Sequence, residues 1–180
     1  MTKIANRMTI AGVLVSAALA VSCGRQDAAP QPASQSPAPA GNWQPTMPSD
    51  YAGLKVREGG QCYLDVINET SVGAAPTPVK SGSVMSLAGW AVADVQSGQA
   101  GSAAGVQLIA AGSSYSAPAA SYMRPGLGAA LKGSSSLDSG GLKLDSTPLN
   151  VPAGQYNVRF LVRSGGDMVR CDTGRILSIQ

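Results

Sequence analysis

No histidine occurs anywhere in the chain. That absence closes the Ser-His-Asp and Cys-His nucleophile systems and the His-ligated zinc site, each of which needs an imidazole to carry a proton or bind the metal. Charge is also scarce: Asp, Glu, Lys and Arg make up 13% of the residues, against about a quarter in ordinary globular chains. The basic residues are scattered, so the clustered footprint of a nucleic-acid binder is missing. The amino-terminal apolar run, Met8 to Val21, is shorter than the roughly 20 residues a membrane-spanning helix requires. The glycines of Gly133-Ser134-Ser135-Ser136-Leu137-Asp138-Ser139-Gly140-Gly141 lack the spacing and the terminal Lys-Ser/Thr of a phosphate-binding loop, so that tract reads as a loop. Carboxylate pairs such as Asp138 with Asp145 remain conceivable for acid-base work, but a Gly/Ser loop gives them no rigid separation. No cofactor or metal is expected.

Small residues are abundant instead, with 22 glycines and many Ser and Ala. They suit tight turns and thin sheets better than long helices, so the composition favours an all-β fold. The 180 residues allow one core of roughly 120 to 130 residues plus appendages. Three segments are expected: 1–22, 23–49 and a folded domain over 50–180.

Lys3 and Arg7 precede the uncharged run from Met8 to Val21, the layout of a positively charged leader and an apolar segment removed on export. Without those two, the 13 basic residues fall to 11 against 10 acidic, and the formal charge from +3 to +1. The run ends at Leu19-Ala20-Val21-Ser22-Cys23, which resembles the lipobox of bacterial lipoproteins. One departure is Ala20, at the position three before the cysteine where Leu is commonest. The resemblance implies cleavage before Cys23 and thioether diacylation of its sulfur, so that the membrane is engaged through lipid. Gly24 follows where an Asp would signal inner-membrane retention, which implies the outer membrane. Ordinary secretory cleavage near Ser22, leaving a free thiol, is the alternative.

Gly24 to about Ser49 is rich in Pro, Ala, Gln and Ser and reads as a disordered tether. Its reach lies between about 28 Å as a coil and about 80 Å extended. Trp43 and Met47 near its end are expected to dock on the domain rather than stand in solvent. With Cys23 given to lipid by the resemblance, Cys62 and Cys171 are the remaining pair, and an oxidising envelope favours their disulfide over two free thiols.

Within the domain, Cys62 to Asn68 alternates as a strand with Cys62, Leu64 and Val66 on the core face. Ser83 to Asp94 is apolar on both sides and reads as an interior strand that carries the domain's core tryptophan, Trp90. Gly89 beside it marks a bulge or a close backbone approach. Asp94 caps the following turn, and the sequon-like Asn68-Glu69-Thr70 is a turn. Val106 to Ala110 and Ser113 to Tyr122 form a hairpin around Gly112. Leu127 to Lys132 offers one helical turn. In 156–163, Tyr156, Val158, Phe160 and Val162 face the core and Asn157, Arg159, Leu161 and Arg163 face water. Met168 to Cys171 and Arg175 to Ile179 complete the set.

About seven strands separated by turns indicate a sandwich of two antiparallel sheets. Leu87-Ala88-Gly89-Trp90-Ala91-x-x-Asp94, Arg124-Pro125 and Val151-Pro152-Ala153-Gly154-Gln155-Tyr156-x-Val158 resemble the immunoglobulin-like modules of bacterial envelope and secreted proteins. That resemblance covers roughly Gln61 to Gln180 and implies a fold, not an activity. The antibody pattern of Cys and Trp spacing is not present.

Candidate binding residues are Tyr115 and Tyr122, as an aromatic platform or as sheet packing, and Arg159 and Arg163, with Arg170, as an anion-attracting patch or as solvated edge charges. The expected function is that of a non-catalytic, membrane-anchored envelope lipoprotein that binds a protein or a glycan. A structural accessory of an envelope assembly and a small hydrolase are the alternatives, and the absence of histidine weighs against the hydrolase.

Overall fold

The computed structural model describes residues 43–47, 51 and 53–180. The leader, Cys23 and most of the tether lie outside the described residues. The described part is all-β, two sheets packed face to face.

The front sheet has the order β1-β11-β10-β6-β7: β1 is Lys55–Glu58, β6 Ser102–Ala110, β7 Ser113–Pro118, β10 Gly154–Ser164 and β11 Asp167–Ile179. A short strand β4, Thr77–Val79, also pairs with β11. The back sheet runs β3-β2-β5-β9-β8, with β2 Gln61–Ile67, β3 Thr70–Ser71, β5 Val84–Val92, β8 Ala120–Tyr122 and β9 Gly141–Pro148. β1 and β4 both run parallel to β11, so the expected purely antiparallel pairing fails at that edge. The amino-terminal segment, through β1, and the connection that follows β3, through β4, share the free side of one long strand.

β10 keeps the anticipated alternation, with Tyr156, Val158, Phe160 and Val162 buried. Phe160, the chain's one phenylalanine, is fully enclosed between the sheets and faces Gly89. A Cβ at Gly89 would lie 2.8 Å from Phe160 Cε2 and would also collide with the Tyr63 carbonyl. The glycine is therefore a requirement of packing, as its place beside Trp90 suggested. Met85, Leu87 and Ala91 continue the inward face of β5 in the main core.

Trp90 is a correction. It points outward from the back sheet, is only part-buried, and packs against a smaller cluster of Val92, Ala100, Leu127 and Leu137. With Gly89 facing inward to admit Phe160, strand alternation sends the neighbouring indole to the other face. A second correction is in β2, where Leu64 opposes Gly89 and Val66 opposes Ala88, leaving Asp65 unpaired in a bulge. The bulge reverses the alternation, so Ile67, and not Val66, reaches full burial.

Ser113 to Tyr122 is two strands. β7 pairs with β6 in the front sheet and β8 with β9 in the back sheet, with Ala119 at the crossing. The Gly/Ser tract contains a 3-10 helix, Ser135–Gly140, rather than a plain loop. With α1, Leu127–Ala130, it caps the outer side of the back sheet through the buried Leu127 and Leu137. Thr173 and Gly174 drop out of the β10–β11 register, so the two expected terminal strands are one bulged strand.

Trp43 lies in the main core at 5% exposure and Gln44 exchanges backbone hydrogen bonds with Ser116 at 2.9 and 2.7 Å. Met47, Tyr51 and Leu54 pack over Ala104, Leu161 and Met168 on the outer face of the front sheet. The folded unit therefore begins by Trp43 rather than at residue 50, and Leu161 is covered rather than wet.

Cys62 on β2 and Cys171 on β11 form a disulfide that ties one sheet to the other across 109 residues of sequence. On the chain-entropy account a loop of that length is worth about 4 to 5 kcal/mol. Two measurements test this frame. Reduction, or the double change Cys62→Ser with Cys171→Ser, is expected to lower stability by about 2 to 5 kcal/mol, and an unchanged melting temperature under reductant would refute the staple. Gly89→Ala is expected to cost about 1 to 3 kcal/mol or more by overpacking, read as a lower urea midpoint.

Candidate binding surface

The four residues expected to form a binding surface do not come together. Tyr115, on β7, packs against the main core and meets Tyr156 edge to face, ring centroids 6.0 Å apart. Tyr122 is on β8 in the other sheet. Arg159 is held between Glu58 and Asp172, at 3.0 and 3.2 Å. Arg163 is exposed and forms no ion pair among the described residues. The platform of Tyr115 with Tyr122 fails because the chain changes sheet between them, and β-periodicity carries no trace of such a crossing.

Tyr122 instead belongs to a row that sequence reading missed. Tyr63 on β2 pairs with Trp90 on β5, Trp90 with Gly141 on β9, and Gly141 with Tyr122 on β8. Paired residues share a face, so Tyr63, Trp90 and Tyr122 line one cross-strand row on the outer side of the back sheet. The Tyr122 ring lies against Gly141, where a Cβ would meet its Cδ1 and Cδ2 at 2.9 Å. Its hydroxyl donates to the Gly89 carbonyl at 3.1 Å, reaching across β9 to β5. Trp90 is backed by Leu127 and Leu137 of the cap. Tyr63 is 39% exposed. The Arg175 guanidinium lies 5.0 Å from the Tyr63 ring centre and donates to its hydroxyl at 2.8 Å.

Polar groups flank the row. Arg124 grips the bulged Asp65 with both terminal nitrogens, the longer bond being 3.3 Å. Asp65, and then the Tyr122 phenol beside it, hold the Arg124 guanidinium even more firmly in its charged form. Ala88, Lys143 and Ala120 form the next paired row, and Lys143 contacts Asp145 at 3.3 Å. Asp138 accepts from the amides of Gly126 and Gly128 at 3.2 and 2.7 Å. Each of the two carboxylates that might have formed an acid-base pair is thus already engaged. Among the described residues no cluster of three or more His, Cys, Asp or Glu side chains is placed to hold a metal.

Asp94 caps its turn as expected, accepting from the amides of Gln96 and Ser97 at 2.8 and 3.4 Å. Hydrogen bonding from Ser97 and then Gln96 keeps its carboxyl below the usual range. A shallow depression of about 280 Å³ lies beside it, lined by Gly60, Gln61 and residues 93–96.

On the outer face of the front sheet, Glu58 accepts from Arg170 and Arg159, and Arg170 also donates to Gln107 at 3.2 Å. The arginines thus serve to bind β1 to its sheet, and no free anion-attracting patch remains at 159 and 170.

Comparison of the chain with protein-family models, with curated proteins and with solved structures finds no match.

The front-face network sets an acid limit on β1. The hydrogen bond from Arg170 is the main cause that lowers the Glu58 carboxyl below its ordinary 4.5. A depressed carboxyl contributes stability above its unfolded value and loses it as pH falls through the folded one. Glu58→Gln is therefore expected to lower stability at pH 7 by about 0.2 to 1 kcal/mol, the scale for exposed pairs. It should also flatten the loss of stability below pH 4.5. Identical acid titrations of variant and parent would remove the carboxylate from this role.

Proposed function

We propose that this chain is a bacterial envelope lipoprotein, anchored by diacylated Cys23, whose tether presents the sandwich as a non-catalytic module for binding a protein or a glycan. The observation that carries the reading is the Cys62–Cys171 disulfide. It uses the other two of the chain's three cysteines, leaving Cys23 as the one thiol available for lipid, at the position the lipobox resemblance marks. A bond between two sheets of an exported domain also accords with an oxidising compartment.

Strand order supports a module of the immunoglobulin-like kind. Lettered A, B, C, C′, D, E, F and G in chain order, β2, β5, β6, β7, β8, β9, β10 and β11 give sheets A-B-E-D and G-F-C-C′. The Tyr156 hydroxyl near the start of β10 donates to the Pro152 carbonyl at 3.0 Å, the arrangement of a tyrosine corner. Both features speak to architecture and not to activity. The engagement of Asp138, Asp145 and Asp65 in capping and ion pairs favours a binding role over a hydrolase.

Expression in a bacterial host tests the anchor. The mature parent is expected in the membrane fraction with a lipid-modified amino-terminal Cys23 by mass spectrometry, and Cys23→Ala in the soluble fraction. An unacylated Cys23 in the mature parent would refute the reading.

A further inference from the structure

We infer that the row Tyr63–Trp90–Tyr122 is a stacking site for an uncharged polysaccharide, an inference that rests on the reading of the domain as a binding module and names its ligand class. The chain has two Trp, five Tyr and one Phe. Trp43, Tyr156 and Phe160 are in the main core and Tyr115 packs against it. Three of the remaining aromatics occupy a single cross-strand row outside that core.

The row is held in place. Gly141 occupies the strand between Trp90 and Tyr122, and the Tyr122 ring lies over it toward β5 with its hydroxyl fixed on Gly89. The ring therefore fills the space between the outer strand and Trp90. Trp90 rests on the cap, and Arg175 holds the Tyr63 hydroxyl. Four strands at about 4.8 Å separation make the row about 14 Å long, enough for more than one sugar ring. Rings already ordered in the free protein give up little entropy on binding. The adjacent Ala88 and Ala120 keep the relief low.

The chemistry of the flanks selects the class. Arg124 is neutralised by Asp65 and Lys143 is paired with Asp145. Among the described residues Arg175, committed to the Tyr63 ring and hydroxyl and to the Gly73 carbonyl, is the one cation beside the row without a carboxylate, and a single screened charge is a weak field for selecting phosphate or an acidic peptide. These groups still have hydrogen-bonding capacity beyond their mutual contacts, since a carboxylate accepts at about four sites and a guanidinium has five N–H groups. Apolar C–H faces of sugars stack on the rings while their hydroxyls meet such flanks. A peptide would need a groove or a long free strand edge, and the outermost strands of this sheet, β8 and β3, have three and two residues.

Calorimetric titration of the full-length mature protein with cellohexaose, chitohexaose and maltohexaose, and with a polygalacturonate hexamer as charged control, tests the inference. At least one uncharged oligosaccharide is expected to bind saturably and the control not to. Tyr63→Ala is expected to weaken binding about tenfold or more, as for a central contact, while Tyr63→Phe retains most of it. Trp90→Ala should abolish binding, but it also strips support from the cap, so the exposed Tyr63 carries the decision. No saturable binding to any of the three, or equal affinity in Tyr63→Ala, overturns the inference. In that event a photo-crosslinker at position 63 in intact membranes separates the two readings. A protein adduct leaves the binding module standing with a different ligand, and no adduct removes both.

Discussion

The seat of Phe160 on Gly89 sets the distance between the two sheets, and most of the molecule adjusts to it. Facing sheets pack about 10 Å apart, a gap that one large ring fills only where the opposite strand gives up its side chain. Apart from Trp43 and Tyr156, the rest of the main core is aliphatic, methionine or small, with Ala91, Ala93 and Ala117 among its buried members. Such residues leave little room for adjustment, since interiors are close-packed and transmit a volume change directly. The disulfide acts on the same relationship from the other side, holding β2 to β11 while Phe160 and Gly89 hold β10 to β5. Covalent bond and ring contact thus constrain four different strands.

Alternation makes that seat felt on the outer surface. Because Gly89 must face inward, Trp90 must face out, and because Leu64 and Gly89 are paired, Tyr63 stands directly across from the indole. An aromatic row on the outside is a geometric consequence of the core contact on the inside. Gly141 then continues the row to Tyr122 by offering no side chain of its own.

Period-two patterning was legible wherever a strand runs unbroken with one buried face. β10 is the clearest case, and the two-sided apolar character of β5 announced a strand flanked by two neighbours, which β2 and β9 are. Cys62 with Cys171 was legible once the lipobox resemblance had set Cys23 apart from the other two cysteines. Bulges were not, since Asp65 looks like any outward polar residue until the partner strand is known. The crossing at Ala119 was hidden because Ser113 to Tyr122 carries no charge and little apolar contrast on which to read a break. Of the cap, the helical turn at Leu127 was legible, and the 3-10 half was hidden by composition: Leu137 and Asp138 turn a Gly/Ser tract into a fixed element, one by burial and the other by accepting two amides. Tyr63, Trp90 and Tyr122 are far apart in sequence and become neighbours only through register, so no local signal could have grouped them.

The two outer faces come out unequal, and under the proposed binding role that inequality gives them different work. The segment after the tether crosses the front sheet, from the Gln44 bridge on β7, over Leu161 by way of Met47, Tyr51 and Leu54, to β1 on β11. Glu58 and its arginines then fasten the far end. Apolar area on that face is covered by the chain itself, so it offers a partner mainly ion pairs that are already made. The cap covers only one end of the back sheet, leaving Tyr63 open and Trp90 and Tyr122 half-buried beside it. In a domain with so few charges, recognition by field is weak and recognition by ring faces and hydrogen bonds is what remains. The surface that satisfies this condition is the one the Phe160 contact created.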